Sequence, residues 1–228
     1  SPLANLTSLK RLSLSDSYGT INDVSPLANL TNLAHLRLGG HQLSNVSPLA
    51  NLTNLTFLTL QHNQINDISP LTNLTNLEEL WLYSNQVNDV SPLTDLTNLT
   101  LLHLSENKIS DISPLVENTG ISGTIQLKNN PLSNISLTSH IPALKARGIT
   151  VEYDAAPADI LTFKNSSFEA SIRQSLSIPT EILTKSSISA IVDLDLSNTG
   201  IVDLDVEALK AFPKLKSITL TDNPLSKD

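Results

Sequence analysis

The chain has 228 residues, a formal net charge of −8 at neutral pH and no cysteine. This length allows one large domain or two small ones with a substantial buried core. The acidic charge argues against nucleic acid or an anionic membrane as the main partner, and the lack of cysteine excludes disulfides, thiolate zinc sites and cysteine nucleophiles.

An internal repeat occupies the first half of the chain. The tripeptide Ser-Pro-Leu begins at Ser1, Ser25, Ser47, Ser69, Ser91 and Ser113. From the second copy onward the spacing is 22 residues, and the first interval is longer because the stretch Asp16–Thr20 carries two extra residues. Each unit follows the pattern SPLxxLTNLxxLxLxxNxIxDI, with valine allowed for isoleucine. Such a period predicts a solenoid, because one unit cannot bury its apolar side chains without its neighbours.

The pattern within a unit predicts its local structure. Two leucines that alternate with another residue point to the same face of a short strand. The asparagine that follows (Asn63, Asn85 or Asn107, with His41 in one unit) lies at a turn, where its side chain can bond backbone groups of stacked units. Proline after serine favours a turn, a 3₁₀ segment or a short helix.

The repeat resembles the leucine-rich repeats of internalin-like bacterial proteins, from Ser1 to about Leu132. The resemblance implies an α/β repeat: a leucine-rich-repeat solenoid with a parallel sheet on the concave face. Its convex face then carries 3₁₀, short helical or turn segments. Proteins of this type are typically secreted or located at the bacterial cell surface, and they bind protein partners on the concave sheet.

After Ser113 the unit lengthens. A helix is predicted over residues 140–147, ended by Gly148 in a C-cap position, and a strand follows at Ile149–Val151. This stretch is similar to the closing unit of such arrays. The predicted first domain is therefore 1–154, with a linker at 155–158.

The predicted second segment, 159–228, begins with helical signals. Residues 166–169 have the spacing of a capping box, and Phe168, Ile172 and Leu176 share a helical face. A second short helix is predicted near residues 185–191. Two repeat-like strands follow, around Leu194–Leu196 and Ile218–Leu220. We interpret the segment as a helical cap followed by two further repeats; the alternative is an insertion after which one array continues.

Ligand contacts are expected at the outward strand positions, which the repeat does not constrain. Neighbouring strands lie about 4.8 Å apart, so that these positions form columns across the sheet. The predicted partner-binding residues are His35, Arg37, Phe57, Thr59, Gln61, Glu79, Trp81, Tyr83, Leu101 and His103. Exposed aromatic residues are enriched at binding hot spots, although aromatic side chains also stack across strands for structural reasons.

Catalytic, metal and cofactor sites are not predicted. His35 and His103 lie three repeats apart, roughly 14 Å by strand spacing, too far to share one ion. One carboxylate or amide per repeat forms a row at Asp23, Asn45, Asp67, Asp89 and Asp111. This row has the residues of a calcium ladder, but turn or cap residues before Ser-Pro-Leu explain it better.

The leading hypothesis is a non-enzymatic protein–protein interaction module, a monomer with no direct membrane insertion, cut from a longer secreted or surface protein. A carbohydrate-binding adhesion module is the first alternative, because tryptophan and tyrosine with polar neighbours also suit sugar stacking. A structural spacer is the second alternative.

Overall fold

The computed structural model describes residues 2–15, 21–179 and 181–226. The predicted two-residue insertion in Asp16–Thr20 lies outside these residues. Contacts group the chain into two compact units, Ser1–Asn130 with Ala143–Asp154 and Pro131–Pro142 with Ala155–Asp228. The domain limits predicted from the sequence, 1–154, 155–158 and 159–228, stay a prediction.

The first unit contains a parallel sheet of seven strands in sequence order, with one strand from each repeat. The strands are β1 (Arg11–Ser13), β2 (His35–Arg37), β3 (Phe57–Thr59), β4 (Glu79–Trp81), β5 (Leu101–His103), β6 (Thr124–Gln126) and β7 (Thr150–Glu152). The central leucines of β2 to β5 are in register, and each is fully buried. The sheet therefore has a leucine-rich face toward the core and an open face on the other side, which we call the concave face.

Short 3₁₀ segments connect the strands at Pro2–Asn5, Ser25–Leu27, Ser47–Leu49, Ser69–Leu71 and Ser91–Leu93. Proline lies in the first turn of each of the last four segments, where its missing N–H group breaks no bond. In the sixth repeat the same sequence begins an α-helix, α1 (Ser113–Glu117). The predicted fold class, a leucine-rich-repeat solenoid with a parallel sheet and short convex segments, is confirmed.

The row of carboxylates and one amide forms side-chain turns at the start of the convex segments. The Asp67 carboxylate accepts a hydrogen bond from the Ser69 backbone N–H at 2.8 Å, and Asn45 accepts one from the Ser47 N–H at 2.9 Å. Asp23, Asp89 and Asp111 repeat the arrangement on their own serines. The hydrogen bonds from Ser69 lower the pKa of Asp67. The row thus has the predicted structural role.

A ladder of buried asparagines joins consecutive repeats. The Asn85 side-chain amide donates to the Leu60 and Leu82 carbonyls, at 2.9 and 3.0 Å, and its oxygen accepts from the Ile65 N–H at 3.0 Å. Asn63 and Asn107 make the equivalent bonds, each to one carbonyl of its own repeat and to a carbonyl and an N–H group of the preceding repeat. His41 takes this position in its repeat and contacts the Leu14 carbonyl at 2.8 Å. The predicted role of these residues in satisfying turn backbone groups is confirmed.

The residue before each of these turn residues has a left-handed backbone conformation. Gly40 takes this position once, but the other repeats place non-glycine residues there: His62, Ser84, Glu106 and Asn129. Left-handed backbone is unfavourable for residues with a Cβ atom. Its recurrence at the same place indicates that the turn geometry imposes it.

The predicted helix near residues 140–147 is present with different bounds. A π-helical turn covers Ser136–His140, and α2 covers Ile141–Ala146. Gly148 has φ of 83°. Its N–H donates to the Lys145 carbonyl, and the next N–H donates to the Leu144 carbonyl. These two bonds form a Schellman motif, which confirms the predicted C-cap.

Besides the π-helical turn, the described part of the second unit contains α3 (Ser166–Leu176) and α4 (Val206–Lys210). Its strands β8 (Asp193–Asp195) and β9 (Ser217–Thr219) form a parallel sheet of their own. Phe168 and Ile172 of α3 are fully buried in a separate apolar core, and Leu176 packs against it. Among the described residues, no helix of either unit is long and apolar enough to cross a bilayer.

Two predictions for this second unit were wrong in detail, and one helix was missed. The N-cap of α3 is Asn165, whose side chain accepts from the Phe168 N–H at 2.7 Å, one residue before the predicted capping box. Residues 185–190 form turns and not a helix. Helix α4 was not predicted; its N-cap is Asp205, whose side chain accepts from the Ala208 N–H.

Candidate binding surface

The strand register places the predicted contact residues in columns on the concave face. The column before each buried leucine contains His35, Phe57, Glu79 and Leu101 in direct register. The central column contains Arg37, Thr59, Trp81 and His103 in direct register. Gln61 and Tyr83 lie two residues after the ends of β3 and β4. The pairing between repeats continues there, because the Leu60 and His62 N–H groups donate to the Trp81 and Tyr83 carbonyls. The alternation of the strand produces this layout, since residues two apart face the same side.

Four rings form a connected aromatic cluster, which we call the Trp81 cluster (His62, Trp81, Tyr83 and His103). Tyr83 stacks on His103 with ring centroids 4.4 Å apart, and Trp81 meets the edge of His103 at 5.9 Å. His62 packs edge-on against Tyr83 at 4.9 Å. The sequence prediction contained three members of the cluster but not His62. The signal that could have identified His62 is its position directly before the turn residue Asn63.

Trp81 is half-buried, and its indole Nε1–H is fully buried without a hydrogen-bond partner among the described residues. The exposed part of this side chain therefore consists of ring carbon atoms. Such a surface favours apolar contact with a partner, as at the centre of many binding interfaces.

Phe57 forms a second aromatic contact point. His35 stacks on its ring with centroids 5.9 Å apart, and the Arg37 guanidinium lies 5.1 Å from the ring centroid. Both contacts come from β2, the preceding strand. The stacking fixes the orientation of Phe57 next to a positive charge.

The predicted contact residues differ in how much surface they offer. Thr59 is only 4% exposed, so it contributes little contact area. The Gln61 amide covers Gly39: a Cβ atom added there would lie 2.3 Å from the Gln61 amide carbon. Gly39 thus leaves the space that Gln61 fills. Glu79 and Leu101 are half-buried at the edge of the Trp81 cluster.

The electrostatic character changes along the sheet. Arg11, His35 and Arg37 line one depression on β1 and β2, whereas Glu152 of β7 lies 4.0 Å from Lys128. Between these ends, burial lowers the pKa of His103, against the opposing effect of Glu152 and Glu106. His103 is consequently held toward its neutral form, which suits a ring stacked between other rings.

Metal binding has no candidate geometry in the part of the chain that the structure describes. No group of three or more histidine or carboxylate side chains converges there. The Asp67 and Asp89 carboxylates instead accept hydrogen bonds from serine N–H groups of the Ser-Pro-Leu turns, and Asp89 also accepts one from the Ser91 hydroxyl.

Comparison with known proteins agrees with the repeat geometry. A family model described as leucine-rich repeats (two copies) matches residues 53–95 and again residues 75–117. The solved structure of internalin C2 from Listeria monocytogenes is similar over 54% of this chain, with 45% sequence identity and a TM-score of 0.51. The chain carries internalin-like leucine-rich repeats.

Two further solved structures are similar to a larger part of this chain. Internalin F from Listeria monocytogenes is 27% identical over 99% of this chain, with a TM-score of 0.58. A leucine-rich-repeat protein of Leptospira interrogans is 25% identical over 67% of this chain and 44% of its own, with a TM-score of 0.54. The chain spans 54% of internalin C2 and 65% of internalin F. No curated protein sequence matches the chain. Leucine-rich-repeat folds generally mediate protein–protein interactions.

Proposed function

We propose that the chain is a non-enzymatic interaction module that binds a protein partner on its concave face, centred on the Trp81 cluster. The observation that carries the proposal is the connected set of rings at the middle of a face whose residues the repeat leaves free to vary. A binding hot spot needs a rigid, partly buried aromatic anchor with exposed carbon surface, and Trp81 has these properties.

The alternative of stacking for strand stability alone accounts less well for the cluster. Cross-strand aromatic pairs stabilise a sheet wherever they occur, but here the rings gather on neighbouring repeats and leave the sheet's ends polar. A spacer between other domains needs no such gathering. Localisation outside the cell, as a secreted or surface protein, is part of the proposal because it rests on the internalin-like repeats.

The experiment compares partner capture by the native chain and by a Trp81→Ala, Tyr83→Ala double variant. The double variant is expected to bind the captured protein at least about 30-fold more weakly, since hot-spot truncation costs 2 kcal/mol or more. Tyr153→Ala is the matched control, because Tyr153 lies beside Lys145 and outside the cluster.

Affinity unchanged in the double variant would refute the proposal, provided that its thermal unfolding matches the native chain. A glycan array run in parallel tests the carbohydrate alternative. Saturable binding to a defined glycan that Trp81→Ala removes would favour an adhesion module.

A further inference from the structure

A depression on β1 and β2 collects positive charge in an acidic protein. Its volume is about 340 Å³, and its lining side chains are Arg11, Leu12, Ser13, His35 and Arg37. The lining contains two guanidinium groups, an imidazole and a hydroxyl, and no carboxylate. The volume is at the small end of ligand-binding clefts, enough for one or two side chains of a partner.

Both guanidinium groups in this depression lack polar partners among the described residues. Arg11 and Arg37 are exposed, and neither guanidinium group makes a hydrogen bond or an ion pair with the described residues. Arg37 does lie over the Phe57 ring. That contact is not a hydrogen bond, so it leaves the guanidinium N–H groups available as donors.

Among the described residues, the nearest carboxylate on the concave face is too far away to neutralise this charge. Glu79 occupies the same column as His35 but two strands further along, about 10 Å by strand spacing. Charges separated by a Debye length or more are largely screened at physiological salt. The depression therefore presents unpaired positive charge to whatever lies on the sheet.

The charge pattern favours a single carboxylate over a polyanion. A sulfated glycan chain is bound by many basic groups in a row, because each neutralised anion adds to the affinity. Past Arg37 the face carries Phe57 on β3, Glu79 beside Trp81 on β4, and Glu152 on β7. A long polyanion lying along the sheet would meet these carboxylates, whereas one acidic side chain next to an apolar segment would not.

We propose that the depression of Arg11, His35 and Arg37 receives an aspartate or glutamate side chain of the protein partner, whose neighbouring apolar residues contact Phe57 and Trp81. Carboxylates match the planar donor fork of arginine, and charge-assisted bonds of this kind are short and strong. The inference rests on the proposed binding function of the concave face, to which it adds the chemistry that the partner presents.

The test uses blocked tripeptides as probes, because they carry the proposed chemistry without a partner. Phe-Glu-Phe and Phe-Gln-Phe, acetylated and amidated, are titrated against the labelled chain. Backbone amides of β1 and β2 and the Nε–H groups of Arg11 and Arg37 are followed by NMR. The glutamate peptide is expected to bind at least about tenfold more tightly than the glutamine peptide. Arg11→Gln with Arg37→Gln should abolish this difference.

Lys108→Gln is the matched control, since it removes one exposed positive charge elsewhere in the same unit, and it should leave the difference unchanged. Equal affinity for the two peptides would overturn the inference. Tighter binding of a heparin-derived disaccharide than of the glutamate peptide at the same residues would also overturn it, by indicating a sulfate site.

The two proposals fail in distinguishable ways. If the double arginine variant captures the partner as well as the native chain does while Trp81→Ala with Tyr83→Ala does not, the carboxylate inference is wrong and the binding face stands. If the aromatic variant binds normally, the proposed function is wrong, and the peptide titration still reports on the depression.

Discussion

Asn85 shows how one side chain connects two consecutive repeats of the solenoid. Its amide bonds two carbonyls, one of its own repeat and one of the preceding repeat, and its oxygen satisfies the Ile65 N–H. The residue is 4% exposed, so water cannot replace these partners. A buried backbone group without a partner costs about 1–3 kcal/mol.

Asn85→Ala should therefore lower the free energy of unfolding by about 3 kcal/mol, measured by urea denaturation. Asn88→Ala is the control, because Asn88 is exposed three residues away, and it should change stability by less than about 0.5 kcal/mol. A loss for Asn85→Ala no larger than for Asn88→Ala would contradict the account of the ladder.

His103 links the aromatic cluster to pH. Burial lowers its pKa below the ordinary value of 6.5, while Glu152 and Glu106 act in the opposite direction. The folded chain then binds the proton less readily than the unfolded chain. The stability contribution is thus complete above about pH 6.5 and is lost as the pH falls through and below that value.

This assignment is tested by comparing the pH dependence of thermal unfolding of the native chain with that of the His103→Gln variant. Between pH 7.5 and 5.5 the native chain should lose more stability than the variant, which has no titrating ring at position 103. Parallel pH profiles, or a native chain that gains stability relative to the variant at pH 5.5, would show that the ring is not held neutral.

Among the structural elements, helix α3 depends on a buried polar network. Glu169 is 2% exposed and accepts from the Asn134 and Ile135 N–H groups, both at 2.8 Å, and from the Arg173 guanidinium at 2.8 Å. Asn134 is fully buried and in turn bonds the carbonyls of Leu161 and Leu183. The network holds the segment before α2 to the core of the second unit.

Glu169→Ala removes the acceptor for two backbone groups and leaves the Arg173 charge unpaired. A loss of about 3–5 kcal/mol is expected, as for other broken buried pairs. Hydrogen exchange of the α3 amides provides the measurement, and faster exchange should extend to the strand pair β8–β9. Glu181→Gln, an exposed carboxyl change in the same unit, is the control; similar protection in both variants would contradict the network's role.

This network also shows what the sequence could not predict. Residues 166–169 have the spacing of a capping box, and that spacing suggested a local role for Glu169. Arg173 is a local partner, but the two backbone N–H groups that Glu169 accepts from lie 34 and 35 residues away, and a local pattern carries no information about such contacts. The repeats are the opposite case: each Asn85-type contact recurs 22 residues later, so a single motif predicted the strands, the ladder and the columns of the concave face.

At the scale of the whole molecule, stability along the first unit depends on stacking between neighbours. Leu58 of β3 is fully buried between repeats on both sides, whereas Leu12 of β1 is only half-buried. The same leucine position thus has two environments. In a solenoid the stability is approximately a sum of repeat and interface contributions.

Leu58→Ala should cost about 2–5 kcal/mol, in the range of buried leucine truncations, and Leu12→Ala clearly less. Chemical denaturation followed by circular dichroism measures both. Equal losses at the two positions would indicate that burial between repeats does not determine the stability of this unit.

The stacked rings of the Trp81 cluster have a thermodynamic consequence for association. Tyr83 packs against both His103 and His62, and the backbone of His62 has a left-handed turn conformation. These side chains lose their rotamer freedom when the chain folds and not when a partner arrives. Binding on this face should therefore cost little conformational entropy, and a conformational change should not limit the association rate.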